Sequence, residues 1–249
     1  MPYLYGESSK KFLANVKFVN EIEKQKILAF APHSDDLSIG AGGFLGHLSK
    51  KNNLISVCAY TGWRGVNNEL GKKNAILIRE NEMKKESHFL GAKKTIFLKL
   101  FTYESDSKND INKDVIKIKN LINLERPSII FLPNEKDLHP RHKLLASLIL
   151  KAVKNNNKPV DLFFYEIPWS VFSGSEFNFI VPLDKESFNK KINAIKVHKS
   201  QLKRTNFVKL AKALLDLRAG MVPEQKISGY GTKSELSNWL EVYKFKKFK

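Results

Sequence analysis

Residues 31–43 read APHSDDLSIGAGG. They follow the apolar run ILAFAP (27–32) and lead into AGGFLGHLSKK, whose apolar residues share one helical face. A buried strand, a polar turn and a helix rich in small residues make the opening of an α/β unit. One histidine and two adjacent aspartates stand at the mouth of that strand. Polar groups in such a place are costly unless they are paired or put to use.

The same alternation continues downstream. LISVCAY (54–60), TIFLKL (95–100), SIIFLP (128–133) and DLFFYEIP (161–168) have the composition of buried strands. Between them, AILIRENEMKKESHFLG and INKDVIKIKNLINLE have helical period, with Gly91 placed as a C-cap. HPRHKLLASLILKAV is helical after its proline, which suits a first helical turn. NFIVPL (178–183) is expected at a sheet edge, because Pro182 has no amide hydrogen to donate. DKESFNKKINAIKVHKSQLKR follows as a helix with Asp184 as N-cap, and the last forty residues are expected to be helix and loop. Strand–helix alternation with continuous apolar strands predicts an α/β fold: a parallel sheet covered by helices on both faces. Ligands bind such sheets at the carboxyl ends of the strands, near the switch point. In the order 3-2-1-4-5, PHSDD and PNEKDLHPRH leave neighbouring strands and meet in one crevice.

Composition bounds the rest. A chain of 249 residues, 42% hydrophobic and without a Pro/Gly/Ser-rich linker, is expected to form one domain. Its core spans about 26–205, with a C-terminal extension of helix and loop over 206–249. The N-terminal stretch lacks the apolar run of a signal peptide, and no segment approaches 18 apolar residues. A soluble, cytoplasmic protein without a membrane span is expected. The single cysteine, Cys58, lies in an apolar run and is expected to be buried. The net charge of +18 comes from 43 basic and 25 acidic residues, mostly lysines spread along the chain. No nucleic-acid motif accompanies them, so no specific nucleic acid is expected. The excess fits a solvated surface that can also attract anionic substrates.

The two loops hold His33, Asp35 and Asp36, then His139 and His142. Residues i and i+3 can share a helix face. Two histidines and a carboxylate around an open position make a usual catalytic zinc site. A remaining carboxylate can take a proton from the nucleophilic water, and a remaining histidine can donate to an oxyanion. The plainer alternative is that Asp35 or Asp36 merely caps the helix. His47 and His88 lie in helical patterns away from the loops and are taken as structural. Gly40, Gly42 and Gly46 give only a loose dinucleotide spacing; seven residues separate Pro32 from Gly40. Close packing of the helix on the sheet explains them better.

These motifs resemble those of the PIG-L/LmbE-like deacetylases. APHSDDLSIGAGG is similar to the family's His-Pro-Asp-Asp-Glu motif with its Gly-Gly helix, and HPRH to its His-x-x-His motif. IRENEMKKESHFLG resembles the Arg-x-x-Glu helix, and KINAIKVHKSQL the late His-x-Ser-Gln helix. The likeness runs in order over about residues 26–205. It implies a Rossmann-like fold and a zinc-dependent hydrolase that removes an N-acetyl group from an N-acetylglucosamine-type amino sugar or its conjugate. By position, it implies His33, Asp36 and His142 as zinc ligands, Asp35 as general base and His139 as oxyanion stabiliser. His/Asp sites also accept other first-row divalent ions. Three positions depart from the pattern: Ser34 stands for Pro, Leu37 for Glu, and Arg141 for Asp.

Substrate contacts are expected from TGWRGVNNE, through Trp63 and Arg64, from Arg141, and from YEIPWS, through Glu166 and Trp169. Arg79 and Glu82 are expected to pair on their helix, and His198, Ser200 and Gln201 to give structural support. The partner is then a small-molecule amino sugar or sugar conjugate, and an anionic one suits the basic surface. Homo-oligomerisation is left open. The competing readings are a non-catalytic carbohydrate- or anion-binding protein of the same fold, motivated by Leu37 and Arg141, and nucleic-acid binding through the excess lysine.

Overall fold

A computed structural model describes residues 22–66, 68–154, 158–173, 176–221 and 238–248. The first 21 residues and the 222–237 part of the C-terminal extension lie outside the described residues.

Five strands form the parallel core: β1 (Lys26–Ala31), β2 (Asn53–Cys58), β3 (Lys94–Phe97), β4 (Ile129–Pro133) and β5 (Val160–Tyr165). Their order is β3-β2-β1-β4-β5, as the alternation predicts. The continuous apolar runs explain it: every residue of β4, and every residue of β1 after Lys26, is buried. The helices pack on both faces over two apolar clusters, one on each side of the sheet. They are α1 (Asp36–Leu48), α2 (Gly71–Leu90), α3 (Lys108–Glu125), α4 (Pro140–Lys154), α5 (Lys185–Lys196), the short α6 (Lys199–Leu202) and α7 (Phe207–Met221).

The sheet is not purely parallel. β6 (Phe179–Pro182) lies at its edge, and β7 (Leu240–Phe248) runs antiparallel between β5 and β6. The reading of the last forty residues as helix and loop is corrected here: α7 is helical, but the chain ends in a nine-residue strand of the sheet. Lysines 244 and 246 disguise it, and both share Glu135 as an ion-pair partner.

Small residues seat α1 against the sheet. A Cβ on Gly40 would stand 2.8 Å from the Glu166 carbonyl oxygen and collide with the Tyr165 ring. One on Gly43 would stand 2.7 Å from Leu183 Cδ2. The helix is also gripped from the side. Glu241 of β7 accepts from the amides of Gly43 (2.9 Å) and Phe44 (2.8 Å). Lys191 of α5 donates to the Ile39 carbonyl (2.6 Å) and to Glu241 (2.8 Å). A buried ion pair is thus inserted into the hydrogen-bond ladder of α1, the helix that carries the first site loop.

Candidate metal centre and catalytic cleft

β1 and β4 are parallel neighbours, with Ala29 level with Phe131. Their carboxyl-terminal loops therefore open side by side. His33 lies in the first loop and Asp36 begins α1; His139 precedes α4 and His142 lies in its first turn. His33 Nδ1 and His142 Nε2 are 3.2 Å apart, and each is 3.2 Å from Asp36 Oδ2. One ligand atom from each residue falls within 4.8 Å of the others.

The donor set fits a metal ion. His142 Nδ1 sits 3.0 Å from Asp137 Oδ2, the contact of an N–H donor with a carboxylate. A neutral His142 then aims the lone pair of Nε2 at the point where Asp36 Oδ2 is aimed. Those two repel unless a cation or a proton stands between them. Asp36 is buried, which by itself would raise its pKa, but His142 and His33 hold it well below the usual carboxylate range. Burial opposes the charge on His142 too, yet Asp36 and Asp137 push its pKa up to about 10. The metal-free protein is therefore expected to carry a proton on His142 at pH 7, which a bound metal ion must displace. Calorimetry in buffers of differing ionisation enthalpy should show about one proton released per ion at pH 7. Affinity should rise with pH until His142 is neutral in the free protein. Loading without proton release would contradict the shared position.

Asp35 occupies the N-cap position of α1, but its side chain makes no capping bond. It turns instead to Arg79 of α2, at 2.6 Å. Burial acts most strongly and would raise its pKa, but the charge and hydrogen bond of Arg79 together with His198 hold it below the ordinary carboxylate value, so Asp35 is ionised. Arg79 lies 3.9 Å from Glu82, whose carboxylate accepts from the Ser200 amide (2.8 Å) and hydroxyl (2.7 Å). His198 is bonded to Glu86 at 2.7 Å, and Glu86 accepts from the Ser38 hydroxyl of α1 at 2.5 Å. The residues that resembled family motifs thus form a polar truss behind Asp35.

His139 lies across the centre, its ring centroid 5.1 Å from that of His33 and 4.6 Å from that of His142. Burial, reinforced by the two neighbouring histidines, pushes its pKa down to about 4. Its Nδ1 accepts from the Arg141 amide at 3.2 Å, which leaves the proton on Nε2. His139 is therefore a neutral donor. The Arg141 side chain is paired with Asp106. Leu37 is fully buried in the core.

A cleft of about 390 Å3 opens over these groups. Arg64, Arg141 and Trp169 line it together with His33, Asp35, Asp36, His139 and His142. Two expected contact residues do not reach it. Trp63 donates to Glu104 (2.8 Å) and packs at the margin of the core. Glu166 is 3% exposed and is held by Arg218 of α7 at 2.8 Å and by the Phe172 amide at 2.6 Å. Its carboxylate ties α7 to the sheet. Cys58 is buried, which raises its thiol pKa.

Asp137 is the residue that the sequence reading missed. It accepts from His142 Nδ1 and from the His139 amide (2.8 Å), so one carboxylate sets both histidines. The signal was a carboxylate two residues before His139, in the loop that leaves a buried strand. Asp137→Ala should weaken zinc affinity about 10- to 100-fold, measured by competition with a chromogenic chelator. Unchanged affinity would remove this role.

Two histidines and a carboxylate around an open position, beside an ionised aspartate, define the class of metal-dependent hydrolases. The family described as PIG-L, GlcNAc-PI de-N-acetylase, matches residues 28–153, and the chain belongs to that family. It is accordingly a metal-dependent amide hydrolase of the deacetylase type. An uncharacterized deacetylase, YaiS, of Escherichia coli K12 is 25% identical over 186 residues, covering 72% of this chain and 92% of its own. The N,N'-diacetylchitobiose deacetylase of Pyrococcus horikoshii has a similar structure. It has a TM-score of 0.69 at 23% identity and covers 89% of this chain and 84% of its own. The 4-carboxy-2-hydroxymuconate hydratase GalB of Pseudomonas putida KT2440 shares the fold at TM-score 0.67 and 16% identity, over 90% and 96% of the chains. The fold by itself therefore does not fix the chemistry. Among the described residues, no helix is long and apolar enough to cross a membrane.

Proposed function

We propose that the protein removes an N-acetyl group from an N-acetylglucosamine-type amino sugar or its conjugate, with zinc held by His33, Asp36 and His142. The observation that carries this reading is geometric. Asp35, held by Arg79, and His139, whose Nδ1 accepts from the Arg141 amide and leaves Nε2–H to donate, line one cleft with the same three ligands. Amide hydrolysis needs that pair of groups.

Zinc, when bound, supplies a Lewis acid that makes water nucleophilic near neutral pH. Asp35 takes the proton of the attacking water. Its Oδ1 is fixed by Arg79, so the carboxylate neither rotates away nor loses its charge. His139 Nε2–H donates to the oxygen of the amide carbonyl as negative charge develops there. The proton held by Asp35 then passes to the leaving nitrogen, which departs as an amine with acetate as the second product. Trp169, exposed in the cleft wall, offers a flat apolar face to a sugar ring.

Acetate release tests the reading. Zinc-loaded protein should release acetate from at least one member of a panel of N-acetylglucosamine, its 1-phosphate, chitobiose and nucleotide-linked forms. Tight stoichiometric zinc with no acetate from any member would favour a binding role instead.

A further inference from the structure

A second concavity, of about 550 Å3, adjoins the catalytic cleft. Val66, Leu70 and Ile78 give it an apolar wall, and Arg64, Lys199, Lys203 and Arg204 surround it with positive charge. Arg64, Gly65 and Arg204 line both spaces, so a ligand seated over the metal ligands can extend from one into the other.

Three of these four cations are not spent internally. Arg64 is paired with Glu104, which also holds Lys72. Among the described residues, Glu82 is the one carboxylate lining the concavity, and both its oxygens are engaged by Ser200. Among the described residues, Lys199, Lys203 and Arg204 carry no ion pair. The Arg204 guanidinium is nevertheless positioned: its Nη1 donates to the Gly65 carbonyl at 3.1 Å. That carbonyl also accepts from Gln201 at 2.9 Å. One end of the guanidinium is thus anchored, and its remaining donors are free to engage an anion. A guanidinium beside two ammonium groups suits the several oxygens of a phosphoryl group, through directed donors and point charge together. Three uncompensated cations around one walled space differ from the lysine scattered over the rest of the surface.

We propose that this concavity is a phosphoryl subsite formed by Lys199, Lys203 and Arg204, which holds a phosphomonoester or phosphodiester carried by the amide substrate. Its place in a substrate site rests on the deacetylase reading; its affinity for phosphate does not.

The test is equilibrium dialysis of inorganic phosphate against the full chain at low ionic strength, both zinc-loaded and chelator-stripped. One saturable phosphate per chain is expected in both forms. Lys203→Gln with Arg204→Gln should weaken it at least 10-fold. Lys199→Gln, which leaves the Arg204–Gly65 bond in place, should weaken it about 3-fold or more. Lys151→Gln with Lys154→Gln on the exposed face of α4 removes the same charge and should leave it unchanged. Three results would overturn the subsite: no saturable binding, binding only in the zinc-loaded form, or equal weakening by both double variants. The source of the phosphoryl group is read by displacement. Displacement by N-acetylglucosamine 1-phosphate indicates a soluble sugar phosphate, and displacement by phosphatidylinositol vesicles indicates a lipid headgroup. Displacement by neither would overturn its role in substrate binding. Saturable phosphate without acetate release would sink the deacetylase reading alone. Acetate release without saturable phosphate would sink the subsite alone.

Discussion

Asp35→Asn is expected to lower kcat for acetate release by about 10²- to 10⁴-fold, the usual contribution of a positioned general base, while zinc content stays at the wild-type level. The amide keeps the shape of the carboxylate but cannot take a proton from water. None of the three metal ligands is changed. The variant has a structural side effect, because Arg79 is 3% exposed and would face an amide in place of its closest carboxylate. Glu82, at 3.9 Å, remains as a partial partner. Weakening a buried pair costs about 3 kcal/mol or somewhat more, against a domain stability of about 5–15 kcal/mol. The variant should therefore melt earlier yet remain folded at assay temperature. Undiminished turnover would remove Asp35 from the role of base.

Lys191→Met is expected to produce the largest loss of stability. Lys191 is 1% exposed and bridges α5, α1 and β7 by its two bonds, to Ile39 O and Glu241. Methionine fills the space but leaves Glu241 buried without its cation. Breaking a buried pair from one side typically costs about 3–5 kcal/mol. For a domain of this size each kcal/mol lowers Tm by about 2–4 °C, so a fall of roughly 6–20 °C is expected in calorimetry. Glu241 retains the Gly43 and Phe44 amides and the Tyr243 hydroxyl (2.6 Å), which places the effect toward the lower end. Lys191→Met combined with Glu241→Gln should cost less than the sum of the single changes, because the two side chains are directly coupled. A Tm within 2 °C of wild type would mean that the pair does not hold α1 in place.

What was legible in the sequence depended on local pattern. The core strands were visible because they are continuous apolar runs, and their order put PHSDD beside PNEKDLHPRH before any geometry was known. The β7 strand was hidden. Its sequence LEVYKFKKF alternates over part of its length, a period-2 signal, but three lysines made it look like a solvated tail. Long-range partners were hidden for a different reason. Glu166 stood in a loop after a strand, where a substrate contact is plausible, and nothing nearby in sequence discloses Arg218, which neutralises it 52 residues later. Arg79 was expected to pair with Glu82, its i+3 neighbour. The shorter contact is with Asp35, at the N-cap of another helix. Local spacing shows which residues can meet along one element. It does not show which of two carboxylates a buried guanidinium chooses once the elements pack. The Leu37 and Arg141 departures that motivated a non-catalytic reading have structural accounts: Leu37 packs in the core, and Arg141 is paired with Asp106.

The central claim is that His33, Asp36 and His142, from two loops on adjacent strands, hold one catalytic metal ion. Metal analysis of purified wild-type protein beside His142→Ala tests it most directly. About one zinc per chain in the wild type, lost in the variant, is the predicted result. No metal in the wild type even after zinc is supplied, or equal metal in both proteins, would contradict it.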